Sequence, residues 1–338
     1  MSILKLQQIS AQAIFMILAI SLMQLVLTGN AEALSHEKIA YPESIRTVTR
    51  SMDSSAKQIV GSYFNGIAWH GFLRSDGVMH EIRYPRATST FVTGVNQAGV
   101  LVGFYRSQGT FHGFLRQGGK MSTFDVPQAF ATFVEGINDQ GKIVGSYTLT
   151  ENGKRLAFAY DGEEFANVQP PAALSAEAKG ISYDGTVVGS FTDAKGTHGF
   201  VCKNGIYTVV DVIGSSLTSL NGINRRGTAV GYSDIHGKRH GVIYHDGNAT
   251  TFSIIGSVAT TACGIGDDNR LTGTSGSGYG TSSYVCQQSE IVRQGIARNL
   301  EPVKVDPKQK STPWEMAAAG VILFIVAMLR QQLSEKEG

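Results

Sequence analysis

The chain has 338 residues, 42% of them hydrophobic, and its 29 Lys and Arg against 27 Asp and Glu leave a formal net charge of +2. Basic and acidic residues are interspersed, so no basic face for nucleic acid stands out. Forty glycines without a three-residue period exclude collagen, and only eight prolines among regularly placed aromatics exclude a disordered linker.

The first element is residues 1–33. Lys5 precedes the apolar stretch 13–27, and Ala31-Glu32-Ala33 has the small-x-small form that signal peptidase accepts. Export with cleavage after Ala33 is expected. The alternative is an uncleaved anchor, since the stretch is only a little short of a span and Ser21 and Gln24 interrupt it. Residues 34–43 read as a lead-in.

From residue 44 to 297 the chain repeats itself about every 42 residues. Its clearest anchor is an aliphatic pair and glycine: Ile59-Val60-Gly61, Leu101-Val102-Gly103, Ile143-Val144-Gly145, Val187-Val188-Gly189, Ala229-Val230-Gly231 and a weakened Leu271-Thr272-Gly273, spaced 42, 42, 44, 42 and 42 residues apart. Before the pair come Gly94-Val95-Asn96, Gly136-Ile137-Asn138, Gly180-Ile181-Ser182, Gly222-Ile223-Asn224 and Gly264-Ile265-Gly266. After it come His70-Gly71-Phe72, His112-Gly113-Phe114, Leu156-Ala157-Phe158, His198-Gly199-Phe200, His240-Gly241-Val242 and Ser282-Ser283-Tyr284.

Turn chemistry divides each copy into four short strands. In the second copy these are 90–96, 100–105, 112–116 and 120–126, with Asn96-Gln97-Ala98-Gly99 suited to a type I turn and Gln117-Gly118-Gly119 to a hairpin. Longer links carrying Pro and Ser or Thr join the copies. Six copies of four strands predict an all-β fold, a six-bladed β-propeller with first strands around a central channel. A stacked β-solenoid is the rival; ring closure is expected from the first blade packing on the last, with residues 37–43 a candidate aid, and how it is fastened is left open. Gly145→Val is expected to destabilise by intruding where blades approach.

The three motifs, recurring in register over residues 50–286, resemble the HAF-type extracellular repeat family. That resemblance implies an exported or surface protein and assigns no chemistry. Beyond a polar linker, 298–313, Trp314 precedes the uncharged run 316–329 and Arg330. As a helix, 314–330 resembles the membrane-associated sorting tails called PEP-CTERM, although Ser311-Thr312-Pro313-Trp314 lacks their Pro-Glu-Pro motif and the 331–338 tail lacks an arginine cluster. A membrane tether is the expectation.

Candidate chemistry is sparse. His70, His112, His198 and His240 share one repeat position on third strands of different blades, so they cannot converge on one metal ion; hydrogen bonds to adjoining structure are expected instead. Cys263 and Cys286 fall on first and third strands of one blade, ~9.6 Å apart, beyond the ~7 Å limit for a disulfide. With Cys202 they should be free thiols. The position before the Gly-Ile-Asn triplet varies while its neighbours stay constant, reading Ser51, Thr93, Glu135, Lys179, Asn221 and Cys263. On first strands these side chains would form a mixed polar ring in the channel, a candidate ligand site. No catalytic constellation and no cofactor motif stands out. The chain therefore reads as a monomeric, membrane-tethered cell-surface module binding polysaccharide, matrix or a surface protein. The alternatives are a structural envelope or biofilm-matrix component, and a carbohydrate hydrolase or lyase using the channel.

Overall fold

The computed structural model of the chain describes residues 36–293 apart from 255, 278 and 279. The expected signal segment 1–33, linker 298–313, C-terminal helix 314–330 and tail 331–338 lie outside those residues, and no helix among the described residues is long and apolar enough to cross a membrane. The described part is all-β, apart from a short helix at Gln288–Arg293.

Each repeat folds into four antiparallel strands. In the second these are Ser89–Val95, Leu101–Ser107, Thr110–Gln117 and Lys120–Thr123, paired in sequence order. The first turn closes with Gly99 N–H donating to Asn96 C=O at 2.9 Å, and Gly99 takes the φ of +75° that glycine adopts without penalty. Asn96 then does two further things. Its Oδ1 accepts from Val100 N–H at 3.0 Å, and its Nδ2 donates to Asn138 C=O of the next repeat at 3.2 Å. Asn138 and Asn224 repeat this double role, donating to Ser182 C=O and Gly266 C=O. The asparagine of the Gly-Ile-Asn triplet is therefore a turn cap and a staple between repeats.

Inner strands begin the repeats at Arg46–Met52, Ser89–Val95, Ala131–Ile137, Ser175–Ile181, Ser215–Ile223 and Ala259–Ile265. The last repeat supplies only three strands of its own. Its outer strand is Glu37–Ile39, antiparallel to Gly280–Gln287 with Glu37 opposite Val285 and Ile39 opposite Ser283. Ile39 is buried among Met52, Tyr63, Phe72 and Val285, and Glu37 pairs with Arg74 of the first repeat. The chain's own beginning thus fastens last repeat to first, the closure that sequence left open. This is a fold of propeller type.

Two sets of glycines set the geometry. Every inner strand slips by one residue against its neighbour at the same place, between Thr49 and Ser51, Val92 and Gly94, Val134 and Gly136, Ala178 and Gly180, Leu220 and Gly222, and Ala262 and Gly264. The residue passed over is a β-bulge. The glycine after it packs backbone on backbone against the next repeat: a Cβ on Gly94 would lie 3.3 Å from Gly136 Cα, on Gly180 3.0 Å from Gly222 Cα, and on Gly264 2.9 Å from Ser51 Cα. The glycine of the aliphatic-glycine anchor is crowded differently. A Cβ on Gly145 would sit 2.2 Å from Phe133 C=O and 2.9 Å from the Phe158 ring, both in its own repeat. The expectation that this glycine marks the approach of neighbouring blades is therefore corrected: the post-bulge glycine does that, while Gly145 accommodates the Phe133 carbonyl, two residues before the bulge, and the Phe of the third strand. Two of the three motifs are two halves of one contact.

The core lies between repeats. Val60 packs among Val92, Leu101 and Phe114 of the second repeat, Val102 among Val134, Ile143 and Phe158 of the third, and Val188 among Leu220, Ala229 and Val242 of the fifth. Each fully buried side chain of this kind contributes roughly 1.5–3 kcal/mol. The links are equally regular. Their third residue is left-handed at Glu43, Arg86, Gln128, Ala172, Gly214 and Gly256. In five of the six links a threonine hydroxyl four residues beyond it accepts the N–H that opens the link, as Thr132 does from Val126 at 3.1 Å; the fourth link has Ala176 there.

Gly145→Ala should lower unfolding free energy by about 3 kcal/mol, as overpacked sites do. Gly119→Ala, at φ +82° with nothing within 4 Å, should cost only about 1 kcal/mol from backbone strain. Thr132→Val should cost about 1–2 kcal/mol by orphaning the Val126 N–H. Urea unfolding of the three variants checks the ranking.

Candidate functional site

A bulge leaves its extra residue unpaired and re-aims its side chain. The bulged residues are Arg50, Thr93, Glu135, Lys179, Asn221 and Cys263. Five of the expected ring positions are among them. The first repeat is out by one: Ser51 stands where the others carry the post-bulge glycine, and Arg50 is the equivalent of Thr93. The Ser51-Met52-Asp53 triplet hides this, since it has no glycine to fix the register. All six bulged residues, and Ser51, line one cavity of about 460 Å³.

They do different things there. Thr93 Oγ1 donates to Val134 C=O at 2.7 Å and Asn221 Nδ2 to Ala262 C=O at 2.9 Å, so these two brace neighbouring inner strands. Cys263 is buried, and burial raises its thiol pKa against the opposing pull of Arg50 and Lys179. Lys179 Nζ lies 3.2 Å from Glu177 Oε2 and donates to Ser219 Oγ at 3.0 Å. Glu177 would be raised by burial, but Lys179 and Arg155 outweigh that and hold it below the usual carboxylate range. Glu135 goes the other way: burial pushes its carboxyl up, with Arg50 opposing and Glu177 reinforcing. Among the described residues neither Arg50 nor Glu135 has a hydrogen-bond or ion-pair partner. A guanidinium and a carboxyl group therefore face the same cavity uncommitted.

The two ends of the cavity differ. At the turn end, Asp139 of the third repeat accepts from Ser54 Oγ of the first at 2.7 Å and from Arg225 Nη2 of the fifth at 3.3 Å, both on Oδ2. Arg225 also stacks 4.5 Å over Tyr183 and pairs with Asp267 at 3.5 Å. Three alternate repeats thus meet on one carboxylate oxygen and draw that end shut. The opposite end carries Arg46, Trp69, Phe91, Tyr232 and Arg239. Trp69 and Phe91 lie 6.0 Å apart between centroids, and Arg46 is 6.0 Å over Trp69. Arg239 sits 4.0 Å over Tyr232 and is held by both oxygens of Asp234. Neither end was read from sequence. The residue following the triplet asparagine, as in Asp139 and Arg225, was the available signal for the closed end.

The histidines lie elsewhere, each bonded within its own repeat. His112 Nδ1 is 2.8 Å from Asp125, His198 bridges Asp211 at 2.9 Å and Asp193 at 3.2 Å, His240 Nδ1 is 2.9 Å from Ser253 Oγ, and His70 Nε2 is 3.0 Å from Asn65. They fasten the third strand to its surroundings. Cys202, Cys263 and Cys286 are buried and none of them is in a disulfide, as strand spacing requires.

No protein-family model and no curated protein matches the chain. Among solved structures it is similar to a virginiamycin B lyase from Staphylococcus aureus with quinupristin, at 11% identity over 75% of this chain and 99% of that one, TM-score 0.44. It is also similar to a variant of AofleA from Arthrobotrys oligospora, at 10% identity over 76% and 87%, TM-score 0.41, and to Trypanosoma rangeli sialidase, at 8% over 77% and 60%, TM-score 0.47. At these levels they assign nothing to any residue of the cavity.

A raised carboxyl in the folded state means that the native chain binds the extra proton, so stability contributed at this site falls as pH rises above the ordinary value of 4.5. Glu135→Gln removes the buried charge. Its melting temperature should exceed that of the unsubstituted chain at neutral pH, and the gap should close as pH falls below 4.5.

Proposed function

We propose that the chain is an exported, membrane-tethered, six-bladed β-propeller of the HAF repeat type whose channel binds a small polar ligand at the cell surface. The observation that carries this reading is the bulge ring. Identical blade frames deliver six different side chains to one cavity, and two of them, Arg50 and Glu135, are left without partners. The half-buried Glu135 carboxyl is costly to leave charged and unpaired, Arg50 is exposed to the cavity, and ligand sites combine a preformed cavity with a few convergent polar groups. Export and tethering rest on Ala31-Glu32-Ala33 behind an apolar stretch and on the uncharged run 316–329 between Trp314 and Arg330.

A hydrolase reading draws on one pair, Glu135 with its carboxyl raised and Glu177 with its carboxylate lowered, the division of labour expected of an acid and its partner. Binding is favoured because Glu177 is already engaged by Lys179.

An unbiased glycan and metabolite screen should return ligands whose affinity falls in Glu135→Ala and Lys179→Ala; unchanged affinity in both moves binding to the outer loops. Release of reducing ends from a bound glycan would instead establish the hydrolase. For location, N-terminal sequencing of the exported chain should begin at Leu34, and a truncation ending at Asp306 should leave the membrane fraction.

A further inference from the structure

The cavity has a second layer, one step nearer its open end, and that layer is divided in two. The inner-strand residues whose carbonyls meet the anchor glycines are Val48, Phe91, Phe133, Glu177, Ser219 and Thr261. Going round the ring, the first three are apolar and the next three polar. Of the apolar half, Val48 and Phe91 line the cavity with Trp69 beside Phe91, and behind them Phe104 lies 4.9 Å from Phe91 and Phe133 5.3 Å from Phe104. Trp69, Phe91 and Phe104 stay half-exposed. The polar half supplies Glu177 with Lys179 below it, while the bulge ring places Arg50 below Val48 and Glu135 below Phe133.

This arrangement has the chemistry of a sugar ring, which offers C–H groups on one face and hydroxyls at its edge. The apolar crescent covers the face, while Glu135 and Glu177 accept from hydroxyls. Arg50 is the discriminating group. It is exposed within the cavity and uncommitted, beside a mouth that already holds Arg46, and a free guanidinium is shaped for bidentate pairing with a carboxylate. Polyphosphates fit poorly, because the same cavity carries two carboxyl groups. The Ser54–Asp139–Arg225 junction closes the far end, so a ligand enters and leaves by the Trp69 mouth. A cavity of about 460 Å³ lies in the lower part of the range for ligand pockets, roughly 300–1,000 Å³.

We infer that the channel captures the end of an acidic glycan, taking one or two terminal uronate-bearing residues through the Trp69 mouth with the carboxylate on Arg50. The inference rests on the channel-binding reading and adds ligand class and polarity to it. Internal segments of a polymer are refused because the channel is blind.

Calorimetry on the detergent-solubilised full-length chain tests this with three probes: a uronic-acid trisaccharide, its methyl ester, and uronate polymers of two lengths at equal mass. The acid should bind at least about tenfold more tightly than the ester, Arg50→Gln should abolish that difference, and Trp69→Ala should weaken both probes about tenfold. Polymer binding should follow the number of chain ends. Arg50→Lys, which keeps the charge and loses the fork, should recover only part of the preference, whereas a general electrostatic effect would be restored in full and would overturn the assignment to Arg50. Equal affinity for acid and ester, or binding that follows polymer mass, overturns the inference while leaving channel binding intact. Affinity unchanged in both Arg50→Gln and Trp69→Ala removes the channel itself, and absence of binding to all probes rejects the acidic-glycan class. Thermal melts of the variants establish that each is folded.

Discussion

Backbone meeting backbone at the axis is the constraint on which the rest of this structure depends. Inner strands of neighbouring repeats approach until the α-carbon of one post-bulge glycine would crowd a side chain on the next, as at Gly180 against Gly222. A residue without Cβ suits that spacing, and glycine fills five of the six places, with Ser51 in the first repeat. Once the glycines fix the ring, the preceding residue has nowhere to pair and becomes the bulge. Two residues before the bulge an inner-strand carbonyl, that of Phe133 in the third repeat, presses toward the second strand, which demands the anchor glycine opposite, and the third-strand aromatic covers the remaining space. A channel lined by variable side chains follows from an invariant collar beneath them.

Much of this was legible because it is local and periodic. Glycine spacing, hairpin turns and the sequence order of strands in each sheet all repeat with the period, so the architecture reads directly. Two things were hidden. The bulge leaves no mark in the sequence beyond the glycine after it, and where that glycine is missing, at Ser51, the register slides and Arg50 goes unnoticed. The closing strand is three residues with no repeat motif of their own, and it pairs with residues almost 250 positions away.

The site shows the same split. Five of six bulge residues were found because they share a repeat position. The Trp69–Phe91–Phe104 crescent was not, because its members come from a third, a first and a second strand and meet only in the folded ring. Nor was the Asp139 junction, whose partners sit two repeats away on either side. Contacts between adjacent copies repeat in the sequence; contacts across the axis do not.

The Glu37–Ile39 closure also sets an order on how the molecule comes into being. Repeats one to five carry all four of their strands in sequence and need only local pairing, the quick kind of folding. The last repeat takes its edge strand from Glu37–Ile39, which precedes the first repeat. Until Val285 has been made and meets Glu37, Gly280–Gln287 is an uncovered sheet edge with Tyr284 and Cys286 behind it, the sort of surface that recruits another chain. The search across the whole chain is therefore its most exposed moment, and two copies meeting at that stage can exchange their first strands as readily as each can close on itself.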